Sequence, residues 1–185
     1  MKKALVISGG GSKGAFAGGV AQYLMKKEHK EYDLFIGTST GSLMVSHLAL
    51  GKLDALKKLY TNVNQKTIFS NNPFTIKKIA GEKVVNINHF NTLVNFLKGR
   101  KTFGESKNLR RLIKNNITKE MYDDIRNSDK EVVVTVSNLT ANQIEYKSSN
   151  DCTYEDFCDW IWGSCNYVPF MSLLEKNKQQ YTDGG

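Results

Sequence analysis

Two glycine-rich turns, each entered from a short apolar run and each followed by a helical pattern, restrict this chain more than any other feature of its sequence. The first is Ile7-Ser8-Gly9-Gly10-Gly11-Ser12-Lys13-Gly14 and the second is Phe35-Ile36-Gly37-Thr38-Ser39-Thr40-Gly41-Ser42. Glycine permits positive φ and lets other groups approach the backbone closely, so both turns read as places where something docks. Ala4 to Ile7 has the continuous apolar pattern of a strand buried on both faces of a parallel sheet. From Ala15 to Lys27 the residues Phe16, Val20, Tyr23 and Leu24 recur at helical spacing, with Lys26 and Lys27 favourably placed at the carboxyl end. Tyr32 to Ile36 repeats the strand, and Leu43 to Leu50 repeats the helix, punctuated by Gly51. Strand, glycine turn and helix, twice over, are the signature of an α/β sheet.

A chain of 185 residues is expected to form one domain with a sizeable core. Its 26 Lys plus Arg against 18 Asp plus Glu give a formal charge of +8, which favours anionic partners. No nucleic-acid-binding motif or aromatic stacking pattern accompanies that charge, so no nucleic acid is expected. Cys152, Cys158 and Cys165 are odd in number and lack metal-site spacing, and they read as reduced thiols of a cytoplasmic protein with no metal. Met1-Lys2-Lys3 is followed by only the short run Ala4–Ile7, whereas a signal peptide needs an apolar stretch of about seven to fifteen residues. No window approaches the roughly eighteen apolar residues of a membrane-crossing helix, so any membrane contact is expected to be peripheral.

Residues 62–126 change character, becoming rich in Asn and Lys with scattered apolar residues. Leu109, Leu112, Ile113 and Ile117 keep helical spacing there, which predicts a mostly helical insertion covering one edge or the mouth of a site. Glu131 to Val136 is the clearest strand by its β-branched run, and Gln143 to Lys147 is expected to pair nearby. Phe157, Trp160 and Ile161 predict a helix over Tyr154 to Trp162, followed by Gly-Ser-Cys-Asn-Tyr-Val-Pro169-Phe.

Gly37-Thr38-Ser39-Thr40-Gly41 fits GxSxG between a strand and a helix, the context that motif requires. Ser39 is then a candidate nucleophile on a strained turn, with the amino terminus of the following helix stabilising negative charge beside it. Alone, the motif is equally a glycine turn with a serine cap. Gly9 to Gly14 also matches GxGxxG, the dinucleotide fingerprint, but that needs an acidic residue at the end of the second strand. Asp33 stands at the start of that strand instead, and Lys13 is followed by Gly14 where a P-loop needs Ser or Thr. In a parallel sheet both turns emerge on the same edge, so N–H groups around Gly10 and Gly11 can converge on an oxygen held near Ser39 as an oxyanion hole. Lys13 either adds positive charge there or is a solvated turn lysine.

A serine nucleophile needs a base. His47 lies eight residues beyond Ser39 on the same expected helix, about 12 Å along its axis, and cannot reach. His29 ends the first helix and His89 lies in the Asn-rich segment, which leaves a carboxylate.

ISGGGSKGAF, then GTSTGS, then a late YTDGG resemble, in that order, the patatin-like phospholipase family. EVVVTVSNLTANQIEY and WGSCNYVPF are also similar to family segments, and the resemblance spans nearly the whole chain. It implies a three-layer α/β/α fold with a mainly parallel central sheet over residues 1–185, interrupted by the helical insertion at 62–126. It further implies a Ser–Asp dyad: Ser39 as nucleophile, Asp183 of Asp183-Gly184-Gly185 as base, and Gly9, Gly10, Gly11, Ser12, Lys13 and Gly14 as the oxyanion loop, with no cofactor. The implied activity is hydrolysis of lipid acyl esters through an acyl-enzyme. An acyltransferase using the same intermediate, and a non-catalytic lipid-binding module, are the alternatives. Family domains continue beyond Asp-Gly-Gly, so the resemblance also implies that the family's C-terminal part is lacking, with Asp183 close to a free end and a core face left open. Lys98, Arg100, Lys101, Lys107, Arg110, Arg111 and Lys114, beside Phe96, Leu97, Phe103 and Leu112, would suit an anionic membrane surface or form a solvated helix face.

Overall fold

The two apolar runs that precede the glycine turns become β1 (Ala4–Ile7) and β2 (Leu34–Thr38), paired in parallel with Ile7 opposite Gly37, in a computed structural model that describes residues 2–185. β2 pairs in parallel with the β-branched strand, which runs from Glu131 to Asn138, so that Thr38 lies opposite Thr135. Between β2 and that strand the chain forms α2 (Thr40–Ala49), α3 (Leu53–Asn62), α4 (Gln65–Ile68), a hairpin of β3 (Phe74–Ile79) and β4 (Glu82–Ile87), α5 (His89–Leu97), α6 (Lys107–Asn116) and α7 (Lys119–Arg126). α1 (Gly14–Lys26) joins β1 to β2, and Glu131–Asn138 is therefore β5. The hairpin was not legible in the Asn- and Lys-rich segment, because its turn uses Ala80 and Gly81 at positive φ in place of the usual Asn-Gly signal.

β1, β2 and β5 form the parallel part of the sheet, and beyond β5 antiparallel strands make it mixed. β6 (Gln143–Ser148) follows β5 through a short turn in which the Asn138 carboxamide oxygen accepts from the Thr140 and Ala141 N–H groups, and so short a link permits only antiparallel pairing. After α8 (Tyr154–Ser164), β7 (Leu174–Lys176) and β8 (Gln179–Asp183) form a further hairpin through Asn177 and Lys178, both at positive φ. β8 pairs antiparallel with β5, setting Asp183 opposite Val136. Because β6 occupies the far edge of β5 along Val133–Asn138, β2 and β8 share the near edge, one ending where the other begins. The sheet thus brings residue 39 and residue 183 together end to end.

The crossovers from β1 to β2 to β5 run in one direction across the sheet, which, with the right-handed connection such units adopt, keeps their helices on one face. On that face Ile7, Phe35, Val132, Val134 and Val136 pack with Met44, Val45 and Leu48 of α2 and Phe157 and Ile161 of α8. Phe35 is fully buried, and its truncation to alanine would cost about 3–5 kcal/mol. The opposite face leaves Val6, Ile144 and Tyr146 exposed. α1 also turns its expected core residues outward: Phe16, Val20 and Tyr23 face solvent, while Gly14 and Ala21 are buried. The reason is close approach, since a Cβ on Gly14 would lie 2.8 Å from Met44 Cε of α2.

Candidate active site

Ser39 caps α2 at φ 54°, ψ −127°, a conformation disfavoured for a residue with a side chain and held here by its neighbours. Two glycines make the turn possible. A Cβ on Gly37 would lie 2.7 Å from the Gly41 backbone, and one on Gly41 would collide with the Ile7 carbonyl oxygen. The Ser39 N–H donates to Ser164 Oγ at 3.0 Å. Its carbonyl accepts from the Ser42 N–H at 2.9 Å, from Ser42 Oγ at 2.6 Å and from Cys165 Sγ at 3.1 Å. Burial pushes the Cys165 thiol up to about 12, so it stays protonated and keeps donating.

The first glycine turn stands directly against the second. A Cβ on Gly9 would lie 2.6 Å from Ser39 Cβ and 3.2 Å from its Oγ, so only glycine admits this approach. Gly9, Gly10, Gly11 and Ser12 line the same cavity as Ser39 and Thr40. Lys13 and Gly14 are not brought to it: Lys13 is exposed and Gly14 packs between α1 and α2. Thr38 points elsewhere, its hydroxyl hydrogen-bonded to that of Thr135.

Asp183 meets Ser39 across the end of β2. Its N–H donates to the Asn166 carbonyl at 2.9 Å, and its Oδ1 accepts from the Gly185 N–H at 3.0 Å. Gly184 lies so near the Thr135 carbonyl that a side chain there would collide with it. The carboxyl is buried, which pushes its pKa above the ordinary aspartate value, while the neighbouring Ser39 hydroxyl and the hydrogen bond from the Gly185 N–H pull the other way. The net direction is upward, toward a stronger base. His47 is buried and held neutral by that burial, further along α2; His29 and His89 are exposed, and none of the three lines the cavity.

Ser39 and Asp183 open into a cavity of about 790 Å3. Its far wall is apolar and comes largely from residues 62–126 and their surroundings: Val63, Ile68 and Phe69 around α4, Leu109, Leu112 and Ile113 on α6, and Met171 before β7. The Tyr60 hydroxyl donates to the Thr40 carbonyl at 2.8 Å and fixes α3 against the elbow. Sequence reasoning missed Ser164, Cys165 and Asn166 as supports of the two candidate catalytic residues. Their signal was present in Trp-Gly-Ser-Cys-Asn, a small-residue step straight after a helix, but nothing local says which backbone groups it serves.

Of the cations marked in the sequence, Arg110 pairs with Asp159 at 2.5 Å and lies over the Trp162 ring. Arg100 and Lys107 pair with Glu105, and Lys101 pairs with Glu175. Leu112 faces the cavity and Phe103 packs among aromatic rings, so this stretch does not form a single basic and apolar surface. No helix among the described residues is long and apolar enough to cross a membrane.

The family model described as patatin-like phospholipase matches residues 5–185. No curated protein matches the chain in sequence. Among solved structures, VipD from Legionella pneumophila is similar in fold, with a TM-score of 0.61 and 17% sequence identity. The similarity covers 100% of this chain and 46% of that one, so the chain spans about half the length of this structural relative.

Proposed function

Because the chain belongs to the patatin-like phospholipase family, a family of lipid acyl hydrolases, we propose that it cleaves lipid acyl esters through a Ser39–Asp183 dyad. The observation that carries this reading is the convergence of a positive-φ serine, a buried carboxylate and a glycine turn on one apolar cavity. Asp183 takes the Ser39 proton as Oγ attacks the ester carbonyl carbon. The backbone of Gly9 to Gly11 and the amino terminus of α2 stabilise the charge that develops on the carbonyl oxygen. The alcohol or lysophospholipid leaves with the proton, and water, deprotonated in turn by Asp183, releases the fatty acid and restores Ser39. The apolar wall supplied by α4 and α6 takes the acyl chain.

The domain reading is of a piece with this: residues 62–126 act as an inserted cap whose α4 and α6 form the acyl-binding wall. Substrate reaches the site from a lipid surface that the chain touches peripherally. Turnover of a chromogenic fatty acyl ester and of a glycerophospholipid tests the reading, with products resolved by chromatography. Free fatty acid as the main product, and none from Ser39→Ala, is expected. Transfer of the acyl group to an added alcohol in preference to water would replace hydrolase with transferase.

A further inference from the structure

α5 is built inside out. Its buried side is polar: Asn95 is 2% exposed and donates to the Thr102 carbonyl at 2.8 Å, and Asn91 donates to the Asn72 carbonyl at 2.9 Å. The Asn71 carboxamide returns the contact, donating to the Asn91 carbonyl at 2.9 Å. Amide hydrogen bonds therefore hold the helix to the body. Its outer stripe is apolar, with Phe90 74%, Leu93 56% and Leu97 78% exposed at a spacing that places all three on one side. Clustered exposed apolar side chains of this size mark an interaction surface.

The neighbouring hairpin also turns apolar side chains outward. Its register places Phe74, Ile76 and Lys78 on the same face as Ile87, Val85 and Lys83. Ile76, Val85 and Ile87 are exposed, and β3 and β4 pack mainly on each other. A lone two-stranded ribbon is marginal in water. Lys77, Lys78, Lys83 and Lys98 form no ion pair among the described residues, and Glu82 is the single acidic residue between Phe74 and Arg100.

A run of aromatic rings joins this surface to the cavity. Phe96 of α5 packs edge-on to Phe103, Phe103 packs edge-on to Phe170, and Phe170 stacks on Tyr167, which lines the cavity. Phe74 of the hairpin touches both Phe170 and Phe69, and Phe69 also lines the cavity.

We propose that α5 and the β3–β4 hairpin form a docking surface for an anionic lipid bilayer, seating the cavity beside the membrane; as a route for substrate this rests on the acyl-ester reading above. Apolar side chains enter the interface, and the lysines meet anionic headgroups. A second copy of the chain is the poorer occupant, because a two-fold contact would set the same lysines against each other. The surface shares Phe96, Leu97 and Lys98 with the cationic stretch that the sequence suggested but leaves out Arg100, Lys101, Lys107 and Arg110, which are paired within the fold.

The test is vesicle flotation of the Ser39→Ala chain, which separates docking from turnover. Vesicles of phosphatidylcholine alone are compared with vesicles that also contain phosphatidylglycerol. Binding to the anionic vesicles that weakens with salt is expected, and at least a tenfold loss of affinity in Leu93→Asp/Leu97→Asp and in Ile76→Asp/Val85→Asp. Leu93→Gln/Leu97→Gln serves if an aspartate pair lowers the unfolding temperature. Phe16→Asp, on the exposed face of α1, should bind as the parent does. Undiminished binding by the folded variants, equal loss in Phe16→Asp, or absence of binding by the parent would overturn the proposal. So would a dimer on size exclusion that the same substitutions dissociate, since the surface would then serve self-association. Failure of ester turnover alone, with docking intact, would count against the dyad and leave this surface standing.

Discussion

At Asp183, burial disfavours the charge while the Ser39 hydroxyl and the Gly185 N–H favour it, and burial wins. The proposed base is ionised only above its raised pKa, so kcat/KM should rise with pH through a midpoint above the ordinary aspartate value of about 3.9. A midpoint at or below that value would contradict the assignment. The same imbalance acts on stability. A carboxyl whose folded pKa lies above its unfolded one contributes most to stability below the unfolded value, and that contribution is lost as pH rises through the folded one. Asp183→Asn should therefore melt at a higher temperature than the parent at neutral pH, with the gap narrowing toward acid, while its turnover falls about 10²- to 10⁴-fold. Thermal melts at two pH values and initial rates check both halves. A gain in stability joined to a loss of rate is the mark of a residue kept for chemistry.

Among the elements, the strand-to-helix elbow carries the tightest steric demand. Gly41→Ala places a methyl against the Ile7 carbonyl, and an overpacking cost of about 1–3 kcal/mol is expected in denaturant unfolding. Ser164→Ala leaves the part-buried Ser39 N–H without its acceptor, which should cost about 1 kcal/mol and slow turnover by loosening the elbow. Unchanged stability in both would show that the elbow is less constrained than its contacts indicate. β1, β2, the elbow and α2 were legible because apolar runs, glycines and helical spacing are local signals. The β3–β4 hairpin and three further features were not. The return of β8 to the edge of β5 depends on pairing across the sheet, and the inward turn of Gly14 and Ala21 in place of Phe16 depends on how closely α1 approaches α2. The outward turn of Phe90 and Leu93 in α5 depends on the Asn72 and Thr102 carbonyls that accept from Asn91 and Asn95, partners that no local signal reveals. Ser39 and Asp183 were named by motif order, whereas Ser164 and Asn166 emerge only once the chain is folded.

For the molecule as a whole, one sheet edge holds the candidate chemistry and the Asn- and Lys-rich segment builds much of the apolar cavity around it. A bulkier side chain in that wall should shorten the acceptable chain. Leu112→Trp is expected to lower kcat/KM for long acyl esters by about tenfold while sparing short ones, and an equal loss for both would place Leu112 outside the acyl path. At its centre, Ser39 and Asp183 are proposed to form a working acyl-transfer site together. Its most direct test is the intact mass of the folded chain after treatment with a fluorophosphonate, in parallel with Ser39→Ala and Asp183→Asn. One covalent adduct on the parent, none on Ser39→Ala and slowed labelling of Asp183→Asn are predicted. No adduct on the folded parent, or an adduct that survives Ser39→Ala, would contradict it.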